Sequence, residues 1–489
     1  MTGKFQYRYQ LYKHLQANQA NIYAECRKAG EELGITPDVK NNIGATGAIS
    51  GCHGLLSRAV SEAMHGYGRK VVHSSVLDEE LREVVKSVYG DDYDVAPTNT
   101  CEGALVILYD VLYAPPMAGR GDNYRGRYLA PYERHMHHQG AYGRPFPPKY
   151  KEVNAERGEA AGELGVTGKR QTNLETVYVR MEGADYSLHG IKHNPVINLM
   201  HTDAKKTLEG FETLAERHKE LLVGFASIAY DTPGYGYGEK NANGAPELQV
   251  GLGKLAAKYD VPYIVDNAWG VPFLGTDIRK TNADAICYSM DKASGSPTSG
   301  LIIGKSETMV PIRRAVGIHG ARYGTLSSHG KAAHVGFDPG KEALAGMIAA
   351  LKIIRDHPEV MLNALDGLYK IALEEFENLP KQLQKGWTIT KSVNCNAVEL
   401  NYEDSWAGDK FGIPIFSIED MYAGSNVLQN GMAQMGIIPT IAYDANIFIS
   451  NGIGNVDEEG RLMEKETRLI VKGVLKTVEI ISKYAGLLD

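Results

Sequence analysis

The chain has 489 residues, of which 43% are hydrophobic and 23% charged, and this length suggests about two to four globular domains. A formal net charge of −7 argues against a strong general attraction to nucleic acid. No apolar run is long enough to predict a membrane span, and the first residues lack the apolar core of a signal peptide. The cysteines show no CxxC pairing, which favours reduced thiols and a cytoplasmic location. They are Cys26, Cys52, Cys101, Cys287 and Cys395.

The first 90 residues predict helices interrupted by a glycine-rich loop. Helical spacing of apolar residues covers 9–34, 54–68 and 78–90. Between the first two lies "NNIGATGAISGCHG", residues 41–54, which is too rich in glycine for a helix.

From about residue 93, short apolar runs alternate with amphipathic segments. The predicted strands lie within 93–100, 126–132, 176–181, 195–202, 221–229, 261–270, 283–290 and 300–305. The predicted helices between them lie within 101–113, 203–220 and 245–260. This alternation favours an α/β fold with a largely parallel sheet flanked by helices.

The C-terminal part differs from the preceding region in the length of its predicted helices and in the amphipathic pattern of its predicted strands. Long helices are predicted over 340–357, 360–384 and 458–485, with amphipathic strands over 387–392, 396–402 and 437–443. We therefore predict three regions: an N-terminal helical arm with part of the small domain (1–80), a large α/β domain (81–335), and a smaller α+β domain (336–489). Residues 140–175, which are rich in Gly, Lys and Arg, are interpreted as an insertion in the large domain.

Polar residues stand where several predicted strands end, which is where open α/β sheets bind ligands. They are Asp266, Ser289, Lys292, the segment from Thr98 to Ala104, and His135, His137 and His138. Each has a plainer interpretation. The aspartate and the "TNTCEGA" segment can be helix caps, the lysine can be a solvated turn residue, and the histidines can be a surface loop or a metal pair.

Together these residues meet one chemical need. A helix N-terminus binds a phosphate, a carboxylate holds a pyridinium nitrogen protonated, an imidazole stacks on a ring, and a lysine amine forms an aldimine. That combination predicts a pyridoxal phosphate site, with no metal.

The motifs "DNAWG" (266–270) and "SMDK" (289–292), in this order after "TNTCEGA", resemble those of fold-type-I pyridoxal phosphate enzymes, the aspartate aminotransferase superfamily. The resemblance covers about residues 40–480 and implies a mostly parallel, mixed sheet of the seven-stranded type. Lys292 would be the Schiff-base lysine and general base, Asp266 the partner of the ring nitrogen, and Ala268 the residue under the ring. The implied phosphate ligands are Thr100, Cys101, Glu102 and Ser289.

The resemblance is nearest to the cysteine desulfurase, selenocysteine synthase-like and β-eliminating branches. "ERHMHHQ" is similar to the desulfurase stacking motif, with His135 and His138 as candidates that the sequence leaves unseparated. "ARYGTLSS" is similar to the segment that brings a threonine, here Thr325, from a partner subunit. This implies a homodimer with a shared active site.

Several residues depart from the family's pattern, and these departures bear on the type of reaction. Asn446 stands about where many aminotransferases place a carboxylate-binding arginine, and the later Arg461 and Arg468 are assigned to the closing helix. Arg322 and the 41–47 amides, including Asn42, are the candidate carboxylate ligands. Cys395 is assigned to a strand and interpreted as structural, and "GYGYG" (234–238) as a mobile loop near the substrate.

We therefore expect an amino-acid substrate and elimination or replacement at Cβ. The alternatives are an aminotransferase with an atypical carboxylate clamp, or a non-catalytic RNA-binding relative. The presence of Lys292 counts against the latter.

Overall fold

The computed structural model describes most of the chain. The described residues are 8–47, 55–113, 119–120, 123–124, 126–132, 194–199, 203–229, 237–317, 335–401, 427–443 and 446–488. The predicted strand at 176–181, the insertion at 140–175 and the histidine cluster lie outside them.

A seven-stranded mixed sheet forms the centre of the larger region. Its strand order is β2-β10-β9-β8-β7-β5-β6. The strands are β2 (Tyr93–Thr98), β5 (Arg127–Tyr132), β6 (Asn194–Leu199), β7 (Leu222–Ile228), β8 (Tyr263–Asp266), β9 (Ala285–Ser289) and β10 (Gly300–Lys305). β10 is antiparallel to both neighbours, and the five strands from β9 to β6 pair in parallel. The predicted fold class is confirmed.

Alternating residues of the central strands bury two opposite faces of this sheet. Tyr263, Val265 and Ile286 pack with α3, α5, α6 and α9, whereas Ile264 and Cys287 pack with α4 and α8. The period of two follows from the strand pleat, and it makes the sheet the middle of three layers. The helices are α3 (Ser74–Tyr89), α4 (Cys101–Leu108), α5 (Ala204–His218), α6 (Glu247–Tyr259), α8 (Ser306–Val316) and α9 (Gly340–Asp356), with the short α7 (Ile278–Thr281) before β9.

A four-stranded antiparallel sheet lies in the C-terminal region, in the order β11-β12-β15-β14. The strands are β11 (Thr388–Ser392), β12 (Ala397–Asn401), β14 (Ile441–Tyr443) and β15 (Asn446–Ser450). Its buried side chains share one core with α1 (Arg8–Glu32), α10 (Pro358–Phe376), α11 (Val427–Met435) and α12 (Glu464–Tyr484). The N-terminal helix thus packs on the C-terminal half of the chain. The division into 1–80, 81–335 and 336–489 stays a prediction.

Several predicted bounds were wrong in detail. Helix α2 (Arg58–Gly68) begins later than predicted because Ser57 caps it, accepting a hydrogen bond from Val60 N. The predicted strand 437–443 is two short strands, β13 (Ile437–Ile438) and β14; β13 pairs in parallel with β1 (Ile43–Gly44), inside the predicted glycine-rich loop. After α4 the chain continues as a π-helical turn, Tyr109–Tyr113. The remaining strands, β3 (Gly119–Arg120) and β4 (Asn123–Tyr124), pair with each other.

Within the described residues, none of the helices has the length and apolar character that crossing a membrane requires. Four cysteines in these ranges are buried and form no disulfide within the described part of the chain: Cys26, Cys101, Cys287 and Cys395.

Candidate active site

The strand directions place Lys292 at the edge of the sheet where the parallel strands end. β9 ends at Ser289, and β10 begins at Gly300, directly opposite both Ser289 and Thr98. Because β10 is antiparallel to β2 and β9, the connection that carries Lys292 crosses the carboxyl ends of β2, β8 and β9. This is the edge at which α/β sheets bind ligands.

Lys292 is half-buried. Its backbone is held in a turn, since its N–H donates to Ser289 O (3.4 Å) and its carbonyl accepts from Gly295 N (3.1 Å). In the described part of the chain its Nζ has no hydrogen-bond or ion-pair partner. A partly desolvated lysine amine without a fixed partner is suited to condensation with a carbonyl.

Asp266 lies at the end of β8, on the face of the sheet that α4 covers. Its Oδ1 accepts from Ala268 N at 3.0 Å, and the Cys287 Sγ on the next strand is 3.9 Å from the same oxygen. Burial raises the pKa of Asp266 above its ordinary value, and the charge of Lys292 opposes that shift. A cationic ring nitrogen would compensate this carboxylate, which fits the predicted role.

The predicted phosphate segment is the start of α4. Thr100 is the N-cap: its Oγ1 accepts from Gly103 N at 3.0 Å and donates to Asn99 Oδ1 at 3.3 Å. Cys101 and Glu102 open the helix, where the first amides lack partners inside the helix. Those amides suit an anion, whereas the exposed Glu102 carboxylate does not.

Ser289 is buried, and its Oγ donates to Asp291 Oδ1 at 2.6 Å. Its hydroxyl proton is therefore directed to a carboxylate that the sequence interpretation did not consider. Ala268 is half-buried in the loop after Asp266 and takes part in the core on the α4 side.

The other predicted site residues fall into two groups. Asn42 is exposed, and its Nδ2 donates to Asp38 O at 3.0 Å. The remaining candidates lie outside the described residues: His135, His138, Arg322 and Thr325.

Three distant segments meet behind the lysine turn. A Cβ on Gly47 would lie 1.9 Å from Asn451 O and 3.3 Å from Ala293 Cα, so only glycine fits there. Gly452, with φ of 130°, lies against both Gly47 and Lys292 O. The glycine-rich arm and the end of β15 therefore support the turn that carries Lys292.

A cavity of about 470 Å³ adjoins this turn. Its lining includes Ala293, Ser294, Asn451 and apolar residues of α9 and α10. Neither Lys292 nor Asp266 lines it, so it is a neighbour of the candidate site rather than the site itself.

The structure also shows an amide pair that the sequence analysis missed. Asn267 Nδ2 donates to Asn394 Oδ1 at 2.9 Å, and Asn394 Nδ2 donates to Asn267 Oδ1 at 2.8 Å. Both residues are fully buried, and Asn394 Oδ1 also accepts from Thr276 N at 2.9 Å. A Cβ on Gly270 or Gly275 would lie about 2 Å from this pair, so both glycines make room for it. The pair joins the residue after Asp266 to the β11–β12 turn.

Asn394→Ala should lower the free energy of unfolding by about 2–4 kcal/mol, because it removes both hydrogen bonds to the buried Asn267 amide and the acceptor for the half-buried Thr276 N–H. Chemical denaturation measures this. Asn378→Ala, at an exposed position, is the control and should change stability by less than about 0.5 kcal/mol. A double-mutant cycle with Asn267→Ala should show coupling; strict additivity would contradict the pairing.

Two predictions about C-terminal residues were wrong in their structural part. Cys395 lies in the turn between β11 and β12, not in a strand, although it is fully buried. Arg461 precedes α12 and forms ion pairs with Asp457 and Glu459 on the surface.

A scan against protein-family models and a search of curated proteins give no match. Among solved structures, the chain is similar to a D-glucosaminate-6-phosphate ammonia-lyase (15% identity, TM-score 0.45, 89% of this chain and 95% of the other). It is also similar to the cysteine desulfurase CsdA from Escherichia coli (14% identity, TM-score 0.49, 91% of this chain and 96% of the other). A third similar structure is that of the ureidoglycine–glyoxylate aminotransferase from Bacillus subtilis (11% identity, TM-score 0.46, 87% of this chain and 90% of the other). The fold class is shown by the observed strand order.

Proposed function

We propose that this chain is a pyridoxal phosphate-dependent enzyme that acts on an amino acid by elimination or replacement at Cβ. The observation that carries the proposal is the placement of the half-buried Lys292 amine, which has no hydrogen-bond or ion-pair partner among the described residues, at the same sheet edge as the Asp266 carboxylate. The motif order "TNTCEGA", "DNAWG", "SMDK" supports it.

Pyridoxal phosphate supplies an aldehyde that condenses with amines and a ring that accepts electrons from Cα of an amino acid. The residues present fit its three polar parts. The first amides of α4 would hold the phosphate, Asp266 would keep the ring nitrogen protonated, and Lys292 would hold the aldehyde carbon. With an amino-acid substrate bound, the Lys292 Nζ would take the proton from Cα.

The arginines of the C-terminal region support the proposed reaction class. After residue 356 the sequence has two, Arg461 and Arg468. The first forms surface ion pairs with Asp457 and Glu459, and the second pairs with Glu374 and Glu375 of α10. Neither is free to hold a substrate carboxylate bidentately, the arrangement that favours transamination of many amino acids. A dedicated substrate with a second anchor, such as a β-leaving group, needs that clamp less.

We expect a 2-oxo product and a leaving group, or β-replacement, without consumption of a 2-oxo acid. The test is a half-reaction. The cofactor-loaded enzyme is incubated with single amino acids, and the bound cofactor is analysed for pyridoxamine phosphate. Stoichiometric conversion to that form, reversed by a 2-oxo acid, would establish an aminotransferase and refute the proposed reaction class.

A homodimer with a shared active site is part of the proposal, since "ARYGTLSS" resembles a segment that reaches across a subunit interface. Light scattering that shows a fully active monomer would contradict it. A cytoplasmic location is proposed because the four described cysteines are buried thiols rather than disulfides.

A further inference from the structure

Two thiols and a carboxylate converge beneath the candidate cofactor site. Asp266 and Cys287 are register partners on β8 and β9, and Cys101 is the first residue of α4 above them. The two sulfurs are 4.0 Å apart, and Cys287 Sγ is 3.9 Å from Asp266 Oδ1. One donor atom from each of the three residues lies within 4.8 Å of the others.

These distances are close to those of a tetrahedral metal site. With Zn–S bonds of about 2.3 Å and a Zn–O bond of about 2.0 Å, two sulfurs lie about 3.8 Å apart and a sulfur and an oxygen about 3.5 Å apart. The sulfur–sulfur separation of 4.0 Å and the Cys287–Asp266 separation of 3.9 Å exceed these values by only a few tenths of an ångström. The third pair, Cys101 Sγ and an Asp266 oxygen, lies within 4.8 Å, so side-chain rotation has to bring these two donors closer. A disulfide, by contrast, would require the sulfurs to approach to about 2.05 Å.

The donor set selects the class of cation. Thiolate sulfur is a soft ligand that favours zinc and its heavier relative cadmium over magnesium or calcium. Two thiolates and one carboxylate carry three negative charges against two on the ion. Burial raises the pKa of Asp266, and the neighbouring Cys287 thiol raises the pKa of Cys101; the positive charge of Lys292 opposes both shifts, so it offsets part of the remaining negative charge. Asp266 is the partly exposed member of the cluster, whereas both cysteines are buried, so an ion would enter from the side of Asp266.

We propose that Cys101, Cys287 and Asp266 form a binding site for a thiophilic divalent cation such as Zn²⁺, and that this cation and the cofactor exclude each other. The exclusion rests on the proposed function, because Asp266 cannot ligate a metal and pair with a ring nitrogen at the same time. The metal site itself does not depend on it. On binding, the two thiols lose their protons to solvent as the two metal–sulfur bonds form.

The test uses the full chain without cofactor, under a non-chelating phosphine reductant, in equilibrium dialysis against zinc chloride. We expect about one ion per chain at this site, release of about two protons per ion, and a thiolate-to-metal ultraviolet band when cadmium replaces zinc. Cys101→Ala and Cys287→Ala should each weaken binding at least about 100-fold. Cys26→Ala and Cys395→Ala remove equally buried thiols elsewhere and should leave the affinity unchanged.

Binding that survives both Cys101→Ala and Cys287→Ala, or no stoichiometric binding at all, would overturn the site. Thermal unfolding of each variant shows whether it is folded, and Asp266→Asn tests the same site without removing a thiol. A second arm adds pyridoxal phosphate to the zinc-loaded chain. Displacement of the ion supports the exclusion. A cofactor that binds without displacing zinc overturns the exclusion. A cofactor that fails to bind even the zinc-free chain overturns the proposed function while the metal site stands.

Discussion

Lys292→Ala should abolish the visible absorbance of the cofactor-loaded protein and reduce activity at least about 1,000-fold. A positioned general base alone contributes about 10²–10⁴, and the variant also loses the covalent link to the cofactor. The fold should survive, because the half-buried amine has no hydrogen-bond or ion-pair partner in the described part of the chain. Absorbance, activity and thermal unfolding measured on the same preparation separate these effects.

Borohydride reduction followed by peptide mapping identifies the linked lysine directly. The label should fall on residue 292. Lys305→Ala is a matched control, because Lys305 also ends a strand of the large sheet but pairs with Asp284 at 2.9 Å at the opposite edge. That variant should keep both the absorbance and the label. A label on any other lysine would refute the assignment of Lys292.

The alternating pattern from residue 93 onward was sufficient to predict the large sheet, because each strand is a short apolar run bounded by turn residues. β7 and β9 are buried along their whole length, as strands covered on both faces must be. The direction of β10 was not predictable from its apolar pattern. It depends on the short Gly/Ser/Pro connection after Lys292, which is too short for a crossover helix.

The C-terminal sheet was harder to predict because its short strands depend on distant partners. β13 has only two residues and pairs with β1, almost 400 positions earlier in the chain. The local spacing of apolar residues gives no indication of a pairing between strands so far apart in the chain. The Asn267–Asn394 pair was missed for the same reason, since the two amides are 127 residues apart. Gly270 and Gly275 were the available signal, but a glycine in a loop has several explanations.

The central residues of the candidate site were easier to predict from the sequence because they lie at the ends of strands. Asp266, Ser289 and Thr98 each follow an apolar run, and parallel strands bring such ends to one edge. The hydrogen bonds of these residues were not accessible. Ser289 donates to Asp291, two positions away, and Thr100 caps its own helix. Whether a hydroxyl is already engaged depends on backbone geometry that residue identity leaves open.

Asp266→Asn should reduce turnover by about 10²–10³, a loss of about 3–4 kcal/mol of transition-state stabilisation. A neutral amide cannot keep the ring nitrogen protonated, so the electrons released at Cα are accepted less well. Asp277→Asn is the control for a purely structural role. Asp277 caps α7 by accepting from Arg279 N at 3.0 Å, and asparagine is an equally good N-cap, so stability should change by less than about 1 kcal/mol with turnover unchanged.

Although Asp266→Asn should lower turnover, the free energy of unfolding of the cofactor-free variant should stay the same or rise. Burial raises the pKa of Asp266 in the folded chain, so ionisation is less favourable there than in the unfolded chain. At a pH above both values, the charged Asp266 therefore lowers the free energy of unfolding, and that cost disappears as the pH falls through the folded-state pKa. Asp266→Asn removes the cost, so the cofactor-free variant should be at least as stable as the parent at neutral pH, with a smaller difference in acid. Denaturation at both pH values measures this. A variant that is less stable and fully active would show that Asp266 serves only as a cap for Ala268 N.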